Sequence, residues 1–330
     1  MTVYVILVTI LLFASIFKFN KHVYWVLFFL LLLIGGLRDL SVGVDTLNYY
    51  NVFKGITSRY MVLEYGWILL NNLVRFFFGN FQIVVFISMV LVLCPIFYVS
   101  KRMSNNPILS IALFCLLYFY FNSFNITRQA IAASFILMAL YSLHNDNRRG
   151  YFIYVVLAIL FHATAILFLG IFFLYRLNIS KRILVIIIVL SYLIGALNMP
   201  LIFLRNINLG EHYTVYVNVM LTDTSFSPTR LLLNIGLLCI IIWGDHLNLY
   251  VKNFILGVFV LNAFSFSPEI ARLAQYFLLS QIIIIPNMEL PYAPKYQDVG
   301  RIIGIVYAVV TFFFMVSNNI AGVVPYKLCF

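Results

Sequence analysis

The sequence predicts an all-α membrane protein: a polytopic helix bundle of about ten full spans plus one re-entrant half-helix pair. Three observations carry this. Of 330 residues, 64% are hydrophobic and only 9% charged, with a mean hydropathy of +1.04. A soluble chain of this length needs far more polar surface. The apolar residues run in long unbroken stretches, not in the alternating segments of a membrane β-barrel. The cations gather in short segments between those stretches, as the positive-inside rule requires of cytoplasmic loops.

The apolar runs lie at 2–17, 22–37, 81–99, 107–122, 127–143, 151–175, 183–199, 230–243, 253–267, 271–288 and 302–320. The first lacks a basic leading region and a small-residue cleavage site, so it is expected to remain as a helix. No internal repeat, low-complexity linker or second soluble domain is visible, and residues 1–330 are expected to form one integral membrane domain. A net charge of +11 would suggest nucleic acid in a soluble chain. Here the loop cations account for it, and no nucleic-acid partner is expected. Cys94, Cys115, Cys239 and Cys329 have no metal-ligand spacing and read as packing residues.

Lys18, Lys21, Lys101, Arg102, Arg148 and Arg149 mark cytoplasmic segments, which places the segment 38–80 outside. The run 151–175 is flanked by Arg148 and Arg149 before it and by Arg176, Lys181 and Arg182 after it. If both ends face the cytoplasm, it is a hairpin of two half-helices, each about 12 residues or roughly 18 Å long. This arrangement puts a majority of the 21 Lys and Arg inside; a single tilted span does not. It also makes 200–230 a second outer segment. The outer cations are then mostly arginines: Arg38, Arg59, Arg75, Arg128, Arg205, Arg230 and Arg272. Arginine binds phosphate bidentately, whereas lysine offers a point charge. Against this stands the plain reading of cations snorkelling at helix ends.

Four stretches combine polar groups in ways a simple bundle does not need. GLRDLSVGVDTLNYYNVF (36–53) gathers Arg38, Asp39, Asp45, Asn48, Tyr49 and Tyr50, with Gly43 permitting a tight turn. It reads as a substrate-binding loop, or more blandly as a tyrosine-rich interface belt. EYGWILLNNLVRFFFGN (64–80) follows it and reads as an amphipathic helix on or in the membrane surface. Asn125, Thr127, Arg128 and Gln129 cluster where the run 127–143 begins. An ionisable residue at that depth is a functional candidate, since burying it unpaired costs on the order of 3 kcal/mol. AILFHATA (158–165) carries His162 in mid-run, at the tip of the expected hairpin. Its side chain suits proton transfer or simply a bond to a neighbouring helix. In SPEIARLAQYF (267–277), Pro268 and Glu269 start a helix on which Arg272 and Tyr276 share a face.

These residues resemble the EpsG family of exopolysaccharide proteins, within the wider Wzy-type polysaccharide polymerases. The R-x4-G-x-D-x2-N-Y pattern (Arg38, Gly43, Asp45, Asn48, Tyr49), N-x-T-R-Q (125–129), F-H-A-T-A (161–165), I-A-R-L-x2-Y-F (270–277) and V-P-Y (324–326) occur in order along nearly the whole chain. The resemblance implies polymerisation of undecaprenyl-pyrophosphate-linked oligosaccharide repeats. It places the reaction on the outer face of the bacterial cytoplasmic (inner) membrane, in a bundle akin to GT-C glycosyltransferases. A chain-length regulator and a flippase are implied as partners, beside the membrane lipids themselves.

The implied leaving group is pyrophosphate, and the chain has no D-x-D pair to hold a metal. A metal-free site with no cofactor is therefore expected, with arginines stabilising the departing phosphate. Arg128 and Arg272 are the first candidates, then Arg38 and Arg230. Asp45 is the expected general base and His162 the alternative. Tyr49 and Tyr276 are placed to meet sugars, and Asn125 and Gln129 to hydrogen-bond sugar or phosphate. A ligase or other lipid-linked glycosyltransferase would use the same donor. A transporter or flippase is the alternative from another class, and a membrane scaffold the blandest.

Overall fold

The computed structural model describes residues 1–17, 19–56, 63–200, 202, 228–244, 247–288 and 298–330. Most of the expected outer segment 200–230, including Arg205, lies outside the described residues, as does Arg59. Among the described residues the chain is helical, with no strand beyond a single isolated bridge between Arg38 and Leu328. They group into two compact units: residues 1–171, 282–288 and 301–330, and residues 172–281 with 289–300. Each is described by itself.

The first unit contains α1 (Thr2–Ile16), α2 (Lys21–Gly36), α3 (Thr46–Phe53), α4 (Tyr65–Phe77), α5 (Phe81–Met103), α6 (Pro107–Leu116), α7 (Phe119–Asn122), α8 (Thr127–His144) and α9 (Arg148–Phe161). Asparagine starts many of these helices. Asn20, Asn80, Asn106 and Asn147 each accept a hydrogen bond from a backbone N–H in the first turn of the helix that follows. In apolar surroundings those amides have no water to turn to, so a capping side chain is the local solution. Gly35 and Gly36 close α2 against α5: a β-carbon on either would meet Met89 or Phe86 at 2.7 Å.

The run 107–122 does not form one span. Tyr118 takes a left-handed backbone with φ of 69° and separates α6 from α7. The run 271–288 is likewise a chain of short turns, α15 (Ala274–Leu278), α16 (Gln281–Ile284) and a 3-10 turn at Ile285–Asn287. Two described helices, α5 and α17 (Val299–Ser317), are long and apolar enough to cross a membrane by length and composition. Six further described helices are apolar but only 10–17 residues long, short of the ~20 residues that a full crossing takes, so the expected count of about ten full spans is not confirmed among the described residues.

The run 151–175 is also broken. Helix α9 ends at Phe161, His162 is extended (φ −155°, ψ 115°), and a 3-10 turn at Ala163–Ile166 leads into α10 (Leu167–Leu174). The Tyr151 hydroxyl donates to the Phe168 carbonyl at 2.6 Å. Residues 17 apart on a straight helix lie roughly 25 Å apart, so the chain has folded back. This is a hairpin with His162 at its tip.

The C-terminal segment fastens the loop that follows α2. Gly43 N–H donates to Gly322 O at 2.9 Å, Asp39 N–H to Lys327 O at 2.9 Å, and Cys329 N–H to Leu37 O at 3.0 Å. Tyrosine hydroxyls complete the clasp: Tyr4 donates to Val323 O, Tyr118 to Ile320 O and Tyr326 to Ile34 O. Each satisfies a carbonyl left over where a helix has ended or a loop runs through apolar surroundings.

The second unit holds α11 (Lys181–Ala196), α12 (Pro228–Trp243), α13 (Leu249–Ala263), α14 (Pro268–Ala271) and α15. Three buried amides tie it together. Asn262 and Asn234 exchange N–H···O bonds at 2.8 and 2.9 Å, and Asn262 also donates to Ser191 Oγ at 2.9 Å. Asn253 accepts from the Tyr175 hydroxyl at 2.6 Å and donates to Ser280 Oγ and Phe277 O. Such paired polar groups fix helix register inside an apolar bundle.

Gly43 has φ of +96°, and a β-carbon there would meet Phe124 O at 2.6 Å. Gly43→Ala is therefore expected to destabilise the protein by about 1–2 kcal/mol from backbone strain alone, with the clash adding to it. A lowered melting temperature in detergent checks this, and an unchanged one contradicts it.

Candidate active site

Four pieces of the first unit converge: the start of α3, the start of α4, the start of α8 and the hairpin tip after α9. Gly66 makes the approach of α4 to α9 possible, since a β-carbon there would meet Leu160 O at 2.7 Å. That approach places Glu64, the residue before α4, against the tip. Its Oε1 lies 3.0 Å from His162 Nδ1 and accepts from Ala163 N–H at 3.2 Å. Its Oε2 pairs with Arg128 Nη1. One carboxylate thus joins three residues that the sequence keeps 64 and 98 positions apart.

Local geometry explains why the tip accepts this carboxylate. With His162 extended, Ala163 N–H begins a new turn and lacks a helical partner, as any first-turn amide does. Glu64 supplies that partner from another helix. Burial tends to raise the Glu64 carboxyl, but the hydrogen bond from His162 and the charge of Arg128 outweigh it and hold the group down to about 2. The carboxylate stays ionised, and Arg128 has its counter-charge.

Tyr49 completes the cluster. It is buried, and its ring centroid lies 5.8 Å from the Arg128 guanidinium and 5.0 Å from the Trp67 ring. Asp45 stands one turn before it at the head of α3, where Tyr49 N–H donates to Asp45 O. Asp45 N–H donates to Asn125 Oδ1 at 2.9 Å, so Asn125 serves the loop backbone. Gln129 is buried beside Arg128 in the first turn of α8.

Arg38 occupies a different environment. It is 2% exposed, and its guanidinium donates to Gly35 O and Phe124 O and lies 4.7 Å over the Phe124 ring. Thr46 Oγ1 donates to the same Phe124 carbonyl. Arg38 is engaged by backbone carbonyls and holds the loop to the turn before α8. In the second unit Arg230 is buried with its guanidinium 5.8 Å from the Tyr192 ring. The helix expected to carry Arg272 and Tyr276 together is interrupted: α14 ends at Ala271 and α15 begins at Ala274. Arg272 is exposed in that break while Tyr276 is buried.

Glu64 does not stand out in the sequence. The signal available was its place directly before an amphipathic helix, in a chain with only 10 acidic residues. Among the described residues, no three of His, Cys, Asp and Glu converge as a metal would require.

The geometry defines an arginine and a histidine oriented by one carboxylate within an apolar helix bundle. The chain belongs to the EpsG family, whose family model matches residues 21–328. It is a family of Wzy-type polymerase-like proteins, linked to polysaccharide polymerisation. No curated protein and no solved structure matches the chain.

A carboxyl lowered on folding stabilises the folded state above its ordinary titration near 4.5, and that stabilisation is lost as pH falls toward 2. Wild-type protein is therefore expected to lose stability through this window more steeply than Glu64→Gln. Melting curves across that range check it. Parallel slopes would show that Glu64 contributes no such linkage.

Proposed function

We propose that this protein is a polymerase that extends a glycan from its undecaprenyl-pyrophosphate carrier onto a sugar hydroxyl of the next lipid-linked repeat, at the outer face of the cytoplasmic membrane. The Glu64–Arg128–His162 constellation supports this reading most. A histidine that donates Nδ1–H to a carboxylate carries its lone pair on Nε2 and is held in one orientation. In this proposal His162 Nε2 takes the proton of the attacking hydroxyl. The new bond forms between that oxygen and the anomeric carbon of the donor, while the anomeric carbon–oxygen bond to pyrophosphate breaks. The electron pair leaves with the pyrophosphate. Arg128 meets the charge that develops there, without a metal ion. A guanidinium has five N–H donors, so pairing with Glu64 and binding phosphate are compatible.

Asp45 is the second candidate for the base, set in the loop beside Tyr49. Tyr49, Asn125 and Gln129 are proposed to contact sugar or phosphate near Arg128. Arg230, Arg272 and Tyr276 are proposed as substrate contacts in the second unit. Arg38 enters as the residue that sets the loop. A chain-length regulator and a flippase are proposed as partners.

The test is purified protein supplied with lipid-linked repeats and read on gels. Wild-type protein should give a ladder; a ligase would give none without its own acceptor. His162→Ala is expected to slow chain growth by about hundredfold or more, the scale of general-base loss, with the donor still bound. Arg128→Lys should slow it too, because the bidentate geometry is lost. If His162→Ala leaves the ladder intact and Asp45→Asn abolishes it, the base is Asp45. Intact ladders from both variants would remove this mechanism.

A further inference from the structure

Helix α4 contains two buried polar atoms that the reaction scheme above does not use. Trp67 is 1% exposed and Asn71 2%. The Trp67 indole Nε1–H and the Asn71 Oδ1 have no hydrogen-bond partner. One is a donor and the other an acceptor. They stand four residues apart, hence on one face of the helix, and the Asn71 amide is steadied by donating its own N–H to Trp67 O at 2.8 Å. Leaving two such groups unsatisfied is costly, and a native fold keeps such groups for a reason.

Their position suggests the reason. The Trp67 ring meets the Tyr49 ring at 5.0 Å, and Tyr49 in turn meets Arg128. Glu64, at the start of the same helix, holds His162. Along α4 the distance from Glu64 to Asn71 is roughly 10 Å, a span that one or two sugar rings cover. The opposite face of α4 is open: Tyr65, Leu69, Phe76 and Phe77 are all exposed, so an outward swing of its Asn71 end, with Glu64 as the fixed end, meets no packed neighbour on that side and parts only the inner contacts of Asn71, Val74 and Arg75. An aromatic ring, an N–H donor and an amide acceptor side by side suit a sugar, which presents an apolar face and hydroxyls that both give and accept.

We infer that Tyr49, Trp67 and Asn71 form a sugar subsite, reached when α4 tilts, that receives the saccharide of the lipid-linked repeat next to the reacting centre. This rests on the polymerase reading for the identity of the saccharide.

Trp25, Trp67 and Trp243 are the three tryptophans of the chain, so a Trp25→Phe, Trp243→Phe variant reports on Trp67 alone. It is titrated in nanodiscs with lipid-linked repeats extracted from cells lacking this protein, and separately with undecaprenyl pyrophosphate. The repeats should change Trp67 emission saturably and the sugar-free carrier should not. Trp67→Phe keeps an aromatic ring and removes the N–H; it and Asn71→Ala should each raise KM for the repeats about tenfold, the loss of one hydrogen bond, while kcat falls much less. Unchanged emission together with unchanged KM overturns the subsite. An equal response to the sugar-free carrier overturns it in favour of a lipid or phosphate contact. If the wild-type protein builds no ladder, the polymerase reading fails, and the emission titration still decides whether sugar binds at Trp67.

Discussion

A guanidinium and an imidazole set among apolar helices need an anion between them, and Glu64 provides it. Its two oxygens are divided between Arg128 on one side and His162 with the Ala163 amide on the other. Three features of the first unit follow from this bridge. The apolar run 151–175 can break at His162 because the freed amide is accepted. Arg128 can sit at the head of α8 because its charge is met. Helix α4 can pack across α9, with Gly66 at the Leu160 carbonyl, because Glu64 fixes its start against the hairpin tip. Without the carboxylate, each of these would leave an unsatisfied polar group in low dielectric.

The same constraint governs the rest of the unit in milder form. At several helix ends inside the bundle, leftover backbone groups find side chains. Asn20, Asn80, Asn106 and Asn147 cap helix starts, and the hydroxyls of Tyr4 and Tyr118 take the loop carbonyls of Val323 and Ile320. Arg38 does the same work with a charge, gathering Gly35 O and Phe124 O in a buried position. The loop carrying Asp45 is thus held from two directions, by the turn before α8 and by the C-terminal segment. This accounts for the joint presence of R-x4-G-x-D early in the chain and V-P-Y at its end. The two motifs are halves of one clasp, and the clasp sets the backbone on which Asp45 and Tyr49 stand.

An arginine is therefore not one kind of signal. Arg38 serves backbone, Arg128 a carboxylate, and Arg272 stands exposed at a helix break. A count of outer arginines treats them alike. Their surroundings separate a residue that shapes the loop from one that stands beside a histidine and a buried tyrosine.

Composition and hydropathy were sufficient for an all-helical membrane chain, and the flanking cations pointed to a fold-back in 151–175. Such features are local: a residue's type and its near neighbours decide whether it is apolar, caps a helix or turns a loop. Polarity within apolar runs likewise singled out Arg128 and His162. The tertiary structure alone decided how many runs stay unbroken, that Arg38 faces carbonyls, and that Glu64 is the centre of the cluster. Those outcomes depend on which distant segments come within hydrogen-bonding reach, and a pairing across 64 or 98 residues leaves no periodic trace in one sequence.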